Sequence, residues 1–423
     1  MQHIRYVENQ LLCDDVALAE IAEEFGTPLY VYSKEQVREN YRALRQALSG
    51  EQNVVCYALK ANANEAILRL LAEEGAGADV VSGGELYLAL KNGFPPGRIV
   101  FAGVGKTEEE IDYALSSDIH AFNVESVQEL NRISRCAFLS KKTARILLRI
   151  NPNIDAQSHP YISTGLRDHK FGIPADKALE VFRTASELPN LEVAGIHMHI
   201  GSQITSVDPY RQAAQFAASL AAQLRASGTP VGQIDVGGGF GVRYKDALRH
   251  EALPREDQED GALPAPAEYV SAIMEALGGT GCTVWLEPGR SIVADAGLLV
   301  TRVLYTKDQG NKLFVVVDAG MNDLLRPSLY NAYHQVVPIT IETYDHQPVD
   351  VVGPVCETGD FFARGRMLPR IKPNDLLAIL TVGAYGIVNA SNYNGRLRPA
   401  EVLVSADRVR IVRKRQTLED LHS

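Results

Sequence analysis

VVCYALK (54–60), GADVVS (77–82), RIVFAG (98–103), AFNVES (121–126) and RILLRI (145–150) are short apolar runs that start at intervals of one strand-plus-helix unit. EVAGIHMHI (192–200), QIDVGGG (233–239) and TVWLEPG (283–289) extend the series to eight. The gaps hold amphipathic helical patterns, of which EAILRLLAEEG, GELYLALKNG, TEEEIDYAL and ESVQELNRI are the clearest. Strands alternating with helices in this number predict an α/β fold, a closed (β/α)8 TIM-like barrel whose reactive groups gather at the C-terminal rim. Lys60, His199, Gly237, Gly238, Gly239, Glu287 and Arg290 all fall just past the end of a strand. That placement predicts an enzyme.

The chain has 423 residues, against roughly 250 for a typical barrel, so a second domain is expected. From about residue 290 strand-like runs follow one another without long helices: LLVTRVLYT, KLFVVVDAG, VVPITIE, DVVGPVC, DLLAILTVGAYG and EVLVSADRVRIV. They predict a C-terminal antiparallel β domain. LYVYS (29–33) precedes the first barrel helix and reads as a strand donated to that domain, which makes the domain discontinuous. The expected boundaries are 1–34 for this N-terminal segment, 35–289 for the barrel and 290–423 for the β domain. The polar, proline-rich stretch 243–269 reads as a long rim loop.

A formal charge of −10 without a long basic run argues against nucleic-acid binding. No apolar stretch approaches the roughly 20 residues that span a bilayer. The start, MQHIRYVENQLL, lacks the basic-then-apolar order of a signal peptide. Five scattered cysteines with no CxxC pair read as reduced thiols, so the expected location is the cytoplasm.

Several residues carry potential chemistry, each with a plainer alternative. Lys60 ends a buried strand in YALKANAN, where it either snorkels or offers an amine that forms Schiff bases. VGGGFG (236–241) is either a tight turn or a phosphate cradle of backbone N–H groups. In HMHIGSQ (197–203), His197 and His199 share one side of a strand. No third ligand stands at a convincing spacing, so no metal is expected. A flat imidazole covering a cofactor ring suits His199, and a structural role suits His197. EPGR (287–290) offers either a rim salt bridge or a carboxylate for a heteroaromatic nitrogen beside a guanidinium for a carboxylate. CETGD (356–360) sets Cys356 beside acids that raise a thiol pKa, which fits a proton donor better than an attacking thiolate. RPSLYNAYH (326–334) and GAYG (383–386) add Arg326, Tyr330 and Tyr385 to the same domain.

Taken in order, YALKANAN, GADVVSGGEL, FAGVGKT, NVES, RINPN, HPYISTGLRDHKFGI, HMHIGSQI, VGGGFG, EPGR, RPSLYNAYH, CETGD and GAYG resemble the diaminopimelate decarboxylases. These are pyridoxal-phosphate enzymes of the alanine-racemase-like barrel class, related to the ornithine and arginine decarboxylases. HPYISTG with KFGI, and Cys-Glu in place of Cys-Asp, favour the diaminopimelate branch. CETGD departs from the family pattern by a threonine for a serine, which keeps the hydroxyl.

The resemblance implies pyridoxal 5'-phosphate as cofactor, held covalently by Lys60 with Asp79 supporting it. His199 is implied to lie against the cofactor ring and Glu287 at its nitrogen. Ser202, the glycines 237–239 and the turn through Pro288, Gly289 and Arg290 are implied at the phosphate, and Tyr385 at cofactor and substrate. The implied reaction takes carbon dioxide from the D centre of meso-diaminopimelate and leaves L-lysine, with Cys356 returning a proton. Arg290, Arg326 and Tyr330 are implied to grip the retained carboxylate, and Glu357 the distal ammonium. A homodimer with shared active sites is implied as well. The alternative is a decarboxylase of another basic amino acid or polyamine precursor on the same scaffold.

Overall fold

The computed structural model describes residues 2–155, 170–255 and 263–422. HPYISTGLRDH (159–169) and part of the expected rim loop, 256–262, lie outside the described residues. The chain divides into two compact units, Tyr41–Gly241 with Ala262–Ser291, and Met1–Asn40 with Val242–Gly261 and Ile292–Ser423.

The first unit is a barrel. Its strands are β1 (Val54–Ala58), β2 (Gly77–Val80), β3 (Ile99–Phe101), β4 (Ala121–Val124), β5 (Ala144–Asn151), β6 (Leu191–His197), β7 (Gln233–Asp235) and β8 (Thr283–Leu286). Each pairs in parallel with the next, and β8 pairs with β1, so the eight-stranded cylinder is closed. Closure leaves no bare edge among these strands. Helices α1 (Glu65–Glu73), α2 (Gly83–Lys91), α3 (Glu108–Ser116) and α4 (Val127–Leu139) follow the first four strands. Asn64, Ser82, Thr107 and Ser126 cap their N-termini through side-chain oxygens, and Thr107 forms a reciprocal capping box with Glu110. Each rim loop is thereby fixed where it turns into its helix. Two more helices, α5 (Ala178–Glu187) and α6 (Asp208–Ala226), follow β5 and β6, and α7 (Pro266–Leu277) precedes β8.

The second unit is built on a mixed sheet. Leu29–Ser33 lies between Gly297–Asp308, antiparallel to it, and Ala400–Ser405, parallel to it. Leu313–Val317 also runs parallel to His346–Val352. The antiparallel expectation therefore holds for most neighbours, and the parallel pairs arise where a strand from the N-terminal segment or a long crossover enters the sheet. A strand the sequence reading missed, Phe361–Pro369, pairs with His346–Val352. Its partly exposed FFARGRMLP carries an Arg-Gly-Arg interruption that breaks the apolar run. The 242–255 stretch joins this unit instead of standing as a rim loop, because Leu248 and Leu253 are buried in its core with Leu29, Val31, Leu298, Val300 and Val402. Among the described residues no helix is long and apolar enough to cross a membrane.

Candidate active site

Strand ends of the barrel converge on Glu287, which is buried immediately after β8. Asn123 of β4 donates from Nδ2 to its Oε1 at 2.8 Å, and His197 of β6 places Nε2 3.0 Å from its Oε2. Burial alone would raise the Glu287 carboxyl, but the electrostatic pull of His197, its hydrogen bond, and the charge of Lys60 outweigh burial and hold the group below the usual carboxylate range. Asp235 of β7 shows the opposite balance. It is fully buried, burial and the nearby Glu287 charge push it well up, and its Oδ1 accepts the Gly237 N–H at 2.9 Å. The two neighbouring acids are thus driven in opposite directions, Asp235 upward and Glu287 downward.

Lys60 stands in a short 3₁₀ turn, Leu59–Ala61, directly past β1. Its Nζ is 3.0 Å from Oδ2 of Asp79 in β2, which has no exposed surface. Burial and then Glu287 push Asp79 up, and Lys60 works against both. On α2, Glu85 takes the Val81 N–H at 2.8 Å, and burial raises its carboxyl to about 7.

The glycine loop after β7 lies against two other loops. A Cβ on Gly237 would come within 2.5 Å of the Met198 carbonyl, one on Gly238 within 2.1 Å of the Glu287 carbonyl, and one on Gly239 within 2.1 Å of the Gly201 carbonyl. Gly237 and Gly239 also have φ of +73° and +99°, a region closed to most side chains. Tyr210 of α6 donates to the Gly238 carbonyl at 3.0 Å and Tyr269 of α7 to the Ile204 carbonyl at 2.9 Å, with their rings packed on Phe240.

The expected cradle of three N–H groups narrows here. Gly237 N–H is taken by Asp235, and Gly238 N–H donates to Nδ1 of His199 at 3.2 Å. Of the three, Gly239 stands beside Gly201 and hence near Ser202, whose Oγ lies 3.1 Å from Arg290 Nη2. The EPGR turn is tied down by its own backbone: Glu287 N–H donates to Gly237 at 2.9 Å, and the Pro288 carbonyl accepts from Ala58 at 3.1 Å. A Cβ on Gly289 would meet Ala61 at 2.9 Å.

His199 accepts at Nδ1, so its proton is on Nε2. Burial first, and the Lys60 charge second, depress its pKa well below the usual imidazole value and keep the ring neutral.

His197, Asp235 and Glu287 also bring three ligand-type atoms within 4.8 Å of one another. Sequence spacing pointed to no third ligand beside the two histidines of the strand. The companions of His197 are 38 and 90 residues away in sequence and meet it only through barrel closure. Neither Asn123 nor Asp235 was singled out from the sequence as a site residue, although Asn123 lies in NVES and Asp235 leads the glycine run.

Within the second unit, the helix Arg326–Tyr330 is joined to the CETGD loop by Ser328, which donates to the Gly359 carbonyl at 2.6 Å. Cys356 and Glu357 are exposed. The Cys356 N–H donates to Asn394 Oδ1 at 2.9 Å, and Tyr393 donates to Glu357 Oε2 at 2.7 Å. Tyr393 and Asn394 support this loop from a segment the sequence gave no reason to single out. Arg326 is buried against His334 and the ring of Tyr244, Tyr330 is half-buried, and Tyr385 adopts a left-handed φ of 57° in its turn.

The barrel thus presents an amine on Lys60, a flat neutral imidazole, an ionised buried carboxylate and a glycine-serine-arginine anion pocket. Those groups fit pyridoxal 5'-phosphate, which needs an amine for its aldehyde, an anion for its pyridinium and a seat for its phosphate. A fold and donor set of this kind define a pyridoxal-phosphate-dependent decarboxylase barrel. Residues 34–294 match the family model described as the pyridoxal-binding domain of pyridoxal-dependent decarboxylases. A diaminopimelate decarboxylase of Aquifex aeolicus is 46% identical over 417 residues, covering 99% of this chain and 96% of the relative. The Helicobacter pylori diaminopimelate decarboxylase, solved in complex with L-lysine, superposes with a TM-score of 0.89 at 46% identity and covers 96% of this chain and 98% of its own. The M. jannaschii enzyme, also solved with L-lysine, gives a TM-score of 0.92 at 39% identity, with 99% and 96% covered. The chain belongs to the diaminopimelate decarboxylase family.

Proposed function

We propose that this protein decarboxylates meso-diaminopimelate at its D centre and releases L-lysine. The observation that carries the reading is the buried, ionised Glu287 between Asn123 and His197, in the same barrel mouth as Lys60. When bound, pyridoxal phosphate supplies an electron sink for the bond that breaks as carbon dioxide leaves. The chain's own residues bind, orient and move protons around it.

Lys60 would hold the cofactor through Nζ, and Asp79, 3.0 Å from that nitrogen, would keep the amine in position. Glu287, held below the usual carboxylate range, would keep a proton on the pyridine nitrogen, while burial and the Glu287 charge push Asp235 up. His199 covers the ring as a neutral imidazole. Gly239, Ser202 and Arg290, with the turn through Pro288 and Gly289, seat the phosphate; Gly237 and Gly238 provide the close approach of the loop.

To residues of the second unit, and to Arg290 of the barrel, we assign the substrate's remaining groups. Arg326 and Tyr330, with Arg290, take the retained carboxylate, Glu357 takes the distal ammonium, and Tyr385 reaches cofactor and substrate. Cys356 returns a proton to the α-carbon. The exposure of Cys356 and Glu357 on the isolated chain supports a homodimer in which CETGD completes the partner's site. A cytoplasmic location accords with free thiols throughout the described residues.

Holding a carboxylate with arginine also argues against the rival substrates. Ornithine and arginine lack a second carboxylate, and with them the site forgoes the charge-assisted hydrogen bonds to that group, each worth about 1.5–3 kcal/mol. The test is carbon dioxide release by the cofactor-loaded protein offered meso-diaminopimelate, ornithine and arginine in parallel. Release from diaminopimelate alone is expected. Release from ornithine or arginine alone would keep Lys60 and Glu287 in role and overturn the assignment of Arg326 and Glu357.

A further inference from the structure

Arg326 Nη1 lies 2.8 Å from Nε2 of His334, which has no exposed surface. The other ring nitrogen, Nδ1, is 2.8 Å from the Leu380 carbonyl. A carbonyl only accepts and a guanidinium only donates, so the proton must be on Nδ1 and the lone pair on Nε2 must face Arg326. The imidazole is therefore locked as one neutral tautomer, with a single acceptor aimed at the arginine.

The surroundings fix that ring. Arg366 donates from Nη1 to the His334 carbonyl at 3.0 Å. Leu380 N–H donates to the carbonyl of Gln335, one residue on. Tyr244 packs edge-on to the His334 ring at 5.2 Å and offers its face to the Arg326 guanidinium at 4.8 Å. The Gln335 side chain, next to His334, exchanges hydrogen bonds with Leu248 N–H at 2.9 Å and the Leu248 carbonyl at 3.0 Å, four residues after Tyr244. Neither His334 nor Tyr244 carries a negative charge that would cancel the guanidinium's. Together they set the plane of the guanidinium.

We propose that His334 is a positioning residue for substrate specificity: its Nε2 lone pair orients Arg326 toward the retained carboxylate of the substrate. This rests on the assignment of Arg326 made above. Two substitutions separate the acceptor from the ring. His334→Gln places an oxygen near the Nε2 position and keeps an acceptor for Arg326. His334→Asn places an amide near Nδ1, keeps the bond to Leu380 and removes the acceptor.

The experiment measures kcat and KM for meso-diaminopimelate, with cofactor absorbance, in wild type, His334→Gln, His334→Asn and Arg326→Gln. His334→Asn is expected to raise KM about tenfold or more, with kcat within about threefold and absorbance unchanged, whereas His334→Gln stays within about threefold in KM. Equal KM in both His334 variants, whether unchanged or raised, overturns the acceptor role. If Arg326→Gln raises KM and His334→Asn does not, the inference fails and the Arg326 assignment stands. If Arg326→Gln leaves KM unmoved, the assignment itself fails. Nitrogen-15 NMR of the wild-type holoenzyme gives a check that needs no variant: the inference requires a neutral Nδ1–H imidazole for His334 at neutral pH, and an imidazolium or the other tautomer overturns it.

Discussion

His197 Nε2 stands 3.0 Å from Glu287 Oε2 inside the closed barrel, with neither residue more than a few per cent exposed. That contact, with the charge of Lys60, keeps a carboxylate ionised where burial would otherwise protonate it, and the amide of Asn123 occupies the other oxygen. The charge matters because an anion facing the pyridine nitrogen is what retains a proton there.

Replacing Glu287 by Gln keeps the shape and removes the charge. Carbon dioxide release should fall by about 10²–10³-fold, the loss typical of one preorganised electrostatic partner. Absorbance of the purified holoprotein should show the cofactor still attached through Lys60. Full activity in Glu287→Gln would refute the pairing.

Asp235 makes a prediction about pH. An unfolded aspartate releases its proton near pH 3.9, while folded Asp235 keeps its proton to a much higher pH. Between those values the folded state binds more protons, so this residue's contribution to stability falls as pH rises. Asp235→Asn, which mimics the protonated acid and titrates nowhere, should escape that loss. Its melting temperature relative to wild type should climb as pH rises above about 4, by roughly 2 °C per unit until the folded acid titrates, since each unit is worth about 1.4 kcal/mol. A constant difference across the range would place the proton elsewhere.

Gly239→Ala tests the close approach of the glycine loop. Its φ of +99° and a Cβ 2.1 Å from the Gly201 carbonyl leave no room for a methyl group. The variant should retain the cofactor at least about tenfold more weakly, as strain of a few kcal/mol is relieved by opening the loop. Equilibrium dialysis against free cofactor reads this directly, and unchanged retention would remove Gly239 from the phosphate seat.

Cys356 is exposed, its backbone held by Asn394 and not by its thiol. Cys356→Ala should melt within about 1 °C of wild type, as surface substitutions usually do, and load cofactor normally. Turnover should drop by about 10²–10⁴-fold, the range for loss of a proton-transferring group. Normal turnover would assign the proton to another donor.

Much of this was legible before the structure. The βα period announced the barrel, and the strand-end rule picked out Lys60, His199, Glu287 and Arg290, because a parallel barrel directs all its strand ends to one rim. What escaped was assembly across distance. Asn123, His197 and Asp235 meet Glu287 only because the cylinder closes, and no spacing along the chain encodes that. In the β unit, Phe361–Pro369 hid behind its Arg-Gly-Arg interruption. His334 lay in full view within RPSLYNAYH, yet its use depends on the Leu380 carbonyl, 46 residues on. Gly237 and Gly238 looked like anion donors until their N–H groups were found on Asp235 and His199.

The most direct test of the whole account is stereochemical. The cofactor-loaded protein is offered meso-diaminopimelate and the L,L isomer separately, and carbon dioxide and L-lysine are quantified together. The account predicts carbon dioxide and L-lysine in equal amounts from the meso compound and neither from the L,L isomer. Comparable release from the L,L isomer, or carbon dioxide from the meso compound without matching L-lysine, would contradict it.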